Sequence, residues 1–170
     1  LGPIINNNIQ FDDLYVCDGT GSSHNDFLGD CKVDTVFPSA AGNYSQWTPS
    51  GEASNYLCVD EAIPNDDTDY VTTNISGEID TYNFGNLIDY SGETIHAIAL
   101  NTYKKKDDVG FMFSYPVIRI GASDYSGELT GTYDSYLYQQ EIWETNPDDS
   151  QAWEGEDINS GEFGIKMQED

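Results

Sequence analysis

The spacing of apolar and polar residues along this chain predicts a protein built from β-strands. Apolar side chains recur at every second position, or form short β-branched runs, in segments that Gly, Pro, Asn and Asp interrupt. Successive side chains of a strand point to opposite faces, so a period of two is typical of half-buried strands. Many short strands between regular turns predict an all-β fold, an antiparallel β-sandwich or jelly roll. The predicted strands cover residues 9–17, 31–37, 55–60, 70–75, 78–84, 94–103, 111–120, 133–143 and 163–168.

Two of these segments, 94–103 and 111–120, are predicted to form a hairpin in the middle of the core. Both carry apolar residues on both faces, which favours central strands, and a charged turn joins them. Three of the six basic residues of the chain, Lys104, Lys105 and Lys106, fall in this turn. In so acidic a molecule they are candidates for contact with a neighbouring acidic subunit. A solvated turn without a partner is the alternative.

The length of 170 residues fits one compact domain. Residues 1–18 are predicted to form a lead-in segment and a strand, and residues 19–170 the β-sandwich. One short helical turn is expected near the C-terminus, at residues 154–159.

The charge of the chain narrows the classes of partner. Asp and Glu number 31 against 6 Lys and Arg, which is a formal net charge of −25 at pH 7. A phosphate backbone or an anionic membrane surface would be repelled, so neither nucleic acid nor membrane is an expected partner. Dissolved salt or bound divalent cations would relieve the repulsion among the carboxylates.

Two acidic loops carry candidate calcium ligands. Calcium binds carboxylate and amide oxygens, so one structural Ca²⁺ ion is a candidate cofactor. Neither loop has the spacing of an EF-hand, and solvated acidic loops are the alternative. The candidate ligands are Asp18, Asn25, Asp26, Asp66, Asp67 and Asp69.

The three cysteines, Cys17, Cys31 and Cys58, are expected to be free thiols. An odd number of cysteines in apolar strand patterns is typical of small buried side chains and not of a disulfide scaffold. Folding in a reducing cytoplasm agrees with this. A zinc site is the alternative, although the chain has no paired spacing such as C-x-x-C.

The segment "EIDTYN" places Glu78, Asp80 and Asn83 at the spacing of the E-x-D-x-x-E motif of laminarinase-type glycosidases. The last acid of that motif protonates the leaving oxygen, and Asn83 cannot do so. Glu78 and Asp80 are therefore expected on the solvent face of a strand. We predict no enzymatic activity and no catalytic residue.

Aromatic side chains are candidates for carbohydrate binding, because their flat faces stack on sugar rings. The glycan-stacking candidates are Trp47, Trp143 and Trp153, accompanied by Tyr133, Tyr136 and Tyr138. Large rings that fill the core of a sandwich are the alternative.

The order of these landmarks resembles structural proteins of tailed bacteriophages. The matching stretches are "FDDLYVCDGTGSSHNDFLGDCKVDTVFPSAAGNYSQWTPS", "NYLCVDE", "NDDTDYV", "IHAIALNTYKKKDD", "PVIRIGASDYSG" and "IWETNPDDSQAWEGEDINSGEFGIK", which together cover nearly the whole chain. Cys31, Cys58 and the basic "YKKKDD" depart from the family pattern without disturbing the strands. In that family such a segment implies a β-sandwich module of the virion, often following a lectin-like domain.

The resemblance implies a non-enzymatic virion protein, either a tail component or a decoration protein of the head. Its expected partners are other virion proteins and further copies of itself, assembled in the host cytoplasm. Residues 11–30 then form the strand exit that leads into the sandwich, with Phe27 and Leu28 expected to anchor this joint in the core. The alternative function is a carbohydrate-binding module or receptor-binding adhesin that recognises glycans of the host surface.

Overall fold

The computed structural model describes residues 13–17, 19–22, 24–88 and 90–169. By its internal contacts the chain divides into two compact units, Leu1–Thr35 and Val36–Asp170. The sequence placed the corresponding boundary after residue 18. Within the described part of the chain, no helix is long and apolar enough to cross a membrane.

The first unit contains no strand among its described residues. The predicted strand at 9–17 lies partly outside the described residues, and its remainder, 13–17, is irregular. The Tyr15 hydroxyl donates to the carbonyl of Gly29 (3.2 Å) and accepts from the Leu28 N–H (3.3 Å). Phe27 stacks on Tyr15 with ring centroids 6.5 Å apart and is 79% exposed. The expectation that Phe27 is anchored in the core is therefore wrong.

Among its described residues, the second unit contains ten strands, one short α-helix and one 3₁₀ helix. The strands are β1 Pro38–Ser45, β2 Thr48–Ser50, β3 Tyr70–Thr72, β4 Ile79–Phe84, β5 Ile98–Lys104, β6 Met112–Ile120, β7 Ser123–Ser126, β8 Thr130–Thr132, β9 Leu137–Trp143 and β10 Glu162–Glu169. The helix α1 spans Gly155–Ser160, and the 3₁₀ helix spans Asn55–Cys58.

Every strand pairing in this unit is antiparallel. The main sheet has the order β1-β4-β10-β6-β7, and β8 also pairs with β6. Two further sheets have two strands each, β2-β3 and β5-β9. The predicted all-β sandwich is confirmed, as is a single short helix near the C-terminus.

The core lies between the main sheet and the β5-β9 pair. The main sheet contributes two buried side chains to the core, Ile118 of β6 and Phe163 of β10. Trp153, in the loop before α1, packs against them. The Trp153 indole N–H donates to the carbonyl of Trp143 (2.8 Å), which satisfies its polar atom inside the core. The half-buried side chains that pack against this cluster are Phe84, Ile95, Ile98, Leu100, Ile120, Trp143 and Ile158.

The predicted hairpin of 94–103 and 111–120 does not form. β5 pairs along its whole length with β9, from Ile98 opposite Trp143 to Lys104 opposite Leu137. β6 has β10 on one side and β7 and β8 on the other, so neither of its edges is open to β5. The apolar pattern identified both strands, but their nearness in sequence suggested the wrong partner.

Two other predicted strands are absent, and several observed strands were not predicted. Residues 31–37 are irregular, and the segment 55–60 contains the 3₁₀ helix. β1, with the sequence "PSAAGNYS", has little apolar alternation because it lies at the end of the main sheet. The three cysteines are free thiols, as predicted, and only Cys58 is buried.

Candidate functional site

Asp80 of β4 lies inside the fold and is 0% exposed. Its Oδ1 accepts hydrogen bonds from the backbone N–H groups of Gln46 (2.7 Å) and Trp47 (2.9 Å). Its Oδ2 accepts from the Asn55 side-chain amide (2.5 Å) and the Tyr82 hydroxyl (2.9 Å). The prediction of a solvent-facing Asp80 is wrong, because the corner after β1 and the 3₁₀ helix cover that position.

Four hydrogen-bond donors therefore surround the Asp80 carboxylate. A buried charge needs such compensation, and among the described residues no Lys or Arg forms an ion pair with Asp80. Burial, reinforced by the adjacent carboxylate, raises the pKa of the Tyr82 hydroxyl, because ionisation would place a second negative charge beside the first. Tyr82 thus remains a donor, and Asp80 holds the fold together instead of facing a substrate.

A second buried acid, Glu162, lies on the neighbouring strand β10 and is 7% exposed. Its carboxylate accepts hydrogen bonds from the backbone N–H of Asn43 (2.7 Å) and the Thr81 hydroxyl (2.6 Å). The Asn43 side-chain amide also donates to it. The register of β1 against β4 shifts between Ala41 and Ser45, so Asn43 lies in a bulge. Glu162 fastens this bulge to the centre of the sheet.

The three glycosidase-like residues, Glu78, Asp80 and Asn83, all make hydrogen bonds within the fold. Asp80 is inaccessible. Glu78 accepts a hydrogen bond from the Thr73 hydroxyl, and the Asn83 amide donates to the carbonyl of Ala41 (2.8 Å). Each of these side chains is therefore engaged with neighbouring backbone or side chains of the same fold.

The strands β5 and β9 carry a row of side chains on the face that points away from the core. We call this surface the tyrosine face. Tyr103 contacts two rings, Tyr136 at a centroid distance of 4.9 Å and Tyr138 at 4.6 Å. The planes of Tyr103 and Tyr136 differ by 10°, so these two rings are stacked. The cross-strand pairs of the face are Ala99 with Ile142, Asn101 with Gln140, and Tyr103 with Tyr138.

An acidic loop holds two of these tyrosines. The Tyr103 hydroxyl donates to Asp66 (2.9 Å), and the Tyr136 hydroxyl donates to Asp67 (3.1 Å). Lys105 forms an ion pair with Asp67 (2.5 Å) and lies 4.6 Å above the Tyr136 ring. Lys105, and to a smaller extent Tyr136, lower the pKa of the Asp67 carboxyl. The rings are thus fixed in place from the loop side.

The calcium candidates fall in different places. Asp18 lies outside the described residues, and Asn25 and Asp26 make local hydrogen bonds in the first unit. Asp66 and Asp67 hold the tyrosines, and Asp69 accepts from the Asn65 amide (2.9 Å). Within the described ranges, no group of three or more His, Cys, Asp or Glu side chains is placed to hold a metal ion. The calcium prediction stays a prediction.

The three lysines do not share an exposed turn. Lys104 belongs to β5, and its ammonium donates to the hydroxyls of Thr130 (2.9 Å) and Ser114. Burial lowers the pKa of Lys104 to about 8. Lys105 and Lys106 form ion pairs with acids of the same unit, Lys106 with Asp134 at 3.1 Å. Placing Lys104 in the turn was wrong, and a role of the lysines in a subunit interface stays a prediction.

The three tryptophans proposed for glycan stacking are buried or half-buried. Trp153 is 3% exposed, so its faces are closed to a sugar and its place among the stacking candidates was wrong. Trp143 and Trp47 are half-buried, and the Trp47 indole donates to the carbonyl of Glu78 (3.2 Å). Tyr138, in contrast, is 65% exposed. Tyr138, Gln140 and Ile142 occupy every second position of β9, and this spacing is the sequence signal that they share the tyrosine face.

Comparisons with family models, with curated proteins and with solved structures found no match to this chain. The resemblance to structural proteins of tailed bacteriophages therefore rests on the sequence stretches quoted above and stays a prediction.

Proposed function

We propose that this chain is a non-enzymatic structural component of a bacteriophage virion, a tail component or a decoration protein of the head. The observation that carries the proposal is the role of Asp80. The strand with the most enzyme-like sequence buries its acid completely and surrounds it with four donors. The virion as the place of action is proposed from the sequence resemblance to structural proteins of tailed bacteriophages, which covers nearly the whole chain.

The net charge of the chain restricts which of its surfaces can take part in assembly. With a net charge of −25, copies repel one another unless their contacts use uncharged surface or a basic partner. Val109 and Phe111 are 93% and 77% exposed, and Tyr133 is 57% exposed. Phe111 and Tyr133 line a shallow cavity of about 360 Å³. Apolar side chains of this kind are suited to burial against another virion protein.

The proposal is tested on purified particles of the phage that encodes the chain. Isotope-labelled reference peptides and mass spectrometry would give its copy number relative to the major head and tail proteins. We expect a fixed ratio that fits a rotational symmetry of the head or of the tail. A protein that is absent from particles, or present in traces that vary between preparations, would contradict the proposal.

A cryo-EM map of the same particles distinguishes a position on the head from a position on the tail. Density on the head lattice would make the protein a decoration component, and density along or at the end of the tail would make it a tail component. A deletion phage serves as the control, because its map must lack the assigned density.

A further inference from the structure

The tyrosine face is an uncovered sheet surface with a composition suited to a ligand. The other side of the same two strands packs against the core, through Ile98 and Leu100 of β5 and Trp143 of β9. On the outer side, Tyr138 is 65% exposed and Ile142 is 56% exposed. These side chains share one outward face of the sheet with Gln140, and exposed apolar surface gathered on one face is the kind that binds ligands or partners.

The rings of this face are held in one arrangement before any ligand arrives. Tyr103 lies against both Tyr136 and Tyr138, and hydrogen bonds to Asp66 and Asp67 fix the hydroxyls of Tyr103 and Tyr136. A preorganised aromatic surface loses little conformational freedom on binding. The C–H groups on one side of a pyranose ring form a flat apolar patch that matches the exposed ring of Tyr138.

Polar groups for sugar hydroxyls lie next to the rings. Asn101 and Gln140 are opposite each other in the pairing of β5 with β9. They form the next pair to Tyr103 and Tyr138 on the same side of the sheet. The Gln140 side-chain NH₂ donates to the side-chain oxygen of Asn101, Oδ1 (2.9 Å). This bond leaves the side-chain NH₂ of Asn101 as a donor and the side-chain oxygen of Gln140, Oε1, as an acceptor for a ligand.

The charges around the face restrict the class of ligand. Asp66 and Asp67 lie at its rim in a molecule of net charge −25, which disfavours uronic acids, sialic acids and phosphorylated sugars. The position for a cation above Tyr136 is already taken by Lys105. A second copy of the chain would bring the same negative charge to the contact. An uncharged saccharide meets none of these obstacles.

We propose that the tyrosine face binds an uncharged saccharide, a neutral or N-acetylated pyranose unit, with Tyr138 stacking on the ring and Asn101 and Gln140 bonding its polar groups. This site goes beyond the structural role proposed above and does not depend on whether the protein lies on the head or the tail.

The test uses the full chain on an array of neutral and N-acetylated oligosaccharides, including glucans, mannans, galactans and chitin fragments. Heparin and alginate fragments serve as anionic probes. We expect binding to at least one uncharged probe and none to the anionic probes. The Y138A variant should bind that probe about tenfold more weakly or worse, because the stacking of one ring is lost.

I75A is the control, because Ile75 is a 56% exposed side chain that lies outside the tyrosine face. It should bind like the wild type, and both variants should keep the wild-type thermal midpoint. Equal loss in both variants, unchanged binding in Y138A, or no binding of any uncharged probe at millimolar concentration would overturn the proposal. Self-association that Y138A abolishes, in the absence of saccharide binding, would assign the face to contacts between copies instead.

Discussion

Asp80 shows what alternation can and cannot predict about a single residue. Its neighbours Ile79 and Thr81 suggested a polar side chain turned to solvent, yet both Asp80 and Thr81 are 0% exposed. Strand alternation states which residues share a face, but not whether a further segment covers that face. Asn55, which supplies one of the four hydrogen bonds, lies far away in the sequence, in a segment predicted to be a strand.

Replacing the Asp80 carboxylate by an amide should destabilise the fold strongly. In D80N an NH₂ group faces donors, so at least one buried hydrogen bond is lost and a donor is left unpaired. We expect the free energy of unfolding to fall by about 3 kcal/mol in urea denaturation. D107N, at an exposed acid, removes the same formal charge and should change it by less than about 0.5 kcal/mol. Equal effects in the two variants would mean that Asp80 acts only through net charge.

Lys104 should make stability depend on pH in the alkaline range. Its pKa in the folded chain is about 8, below the ordinary 10.5, so between these values the unfolded chain binds more protons. The free energy of unfolding should therefore rise from pH 8 towards pH 10. Below about pH 8 both states carry the proton, and the penalty for burying the ammonium is complete.

The variant K104M removes this penalty. At pH 7 it should be more stable than the wild type by about 1 kcal/mol, a value kept small because the side chain is only half-buried. The advantage should shrink as the pH approaches 10. Denaturation curves of both proteins at pH 7, 8, 9 and 9.5 test this, and a difference that does not vary with pH would contradict it.

Among the elements, β4 and β10 approach each other closely at Gly164. Gly164 lies opposite Thr81, and a Cβ atom at this glycine would be 1.9 Å from the carbonyl oxygen of Asp80. The backbones of β4 and β10 cannot move apart without breaking the hydrogen bonds that pair the two strands. G164A should therefore lower the free energy of unfolding by about 3 kcal/mol or prevent folding.

G85A is the matched control for this contact. A Cβ atom at Gly85 would meet its nearest neighbour, the carbonyl oxygen of Phe37, at 3.9 Å, which is ordinary contact. Its thermal midpoint should stay near that of the wild type. If G164A melted at the same temperature as G85A, the tight approach of β4 and β10 would be refuted.

The strands that the sequence predicted well are those with a buried face. β4, β6 and β9 lie within predicted segments, and β10 extends one residue beyond its predicted segment at each end, since the apolar residues of these strands had to alternate or cluster to fill the core. β1 and β7 lie at the ends of the main sheet and lack that signal. The tyrosine face was predicted only in part, because recognising Tyr136 and Tyr138 did not reveal that β5 brings Tyr103 beside them.

For the whole molecule, the excess of carboxylates makes stability dependent on salt. Raising NaCl from about 0.02 M to about 0.5 M shortens the screening length several-fold, so the thermal midpoint should rise by several degrees. CaCl₂ and MgCl₂ at equal concentration should raise it equally if they act only on the overall charge. A larger, saturable rise with CaCl₂ would instead indicate a specific calcium site.

The bulge in β1 has a consequence for how copies of this chain can meet at high concentration. β1 ends the strand order of the main sheet, and a flat strand there would offer its free N–H and C=O groups to any other extended chain. The bulge, fastened by Glu162, breaks the regular row of these groups. Edge-to-edge joining into fibres is thereby discouraged at high protein concentration, so the carboxylate that shapes the sheet also opposes aggregation.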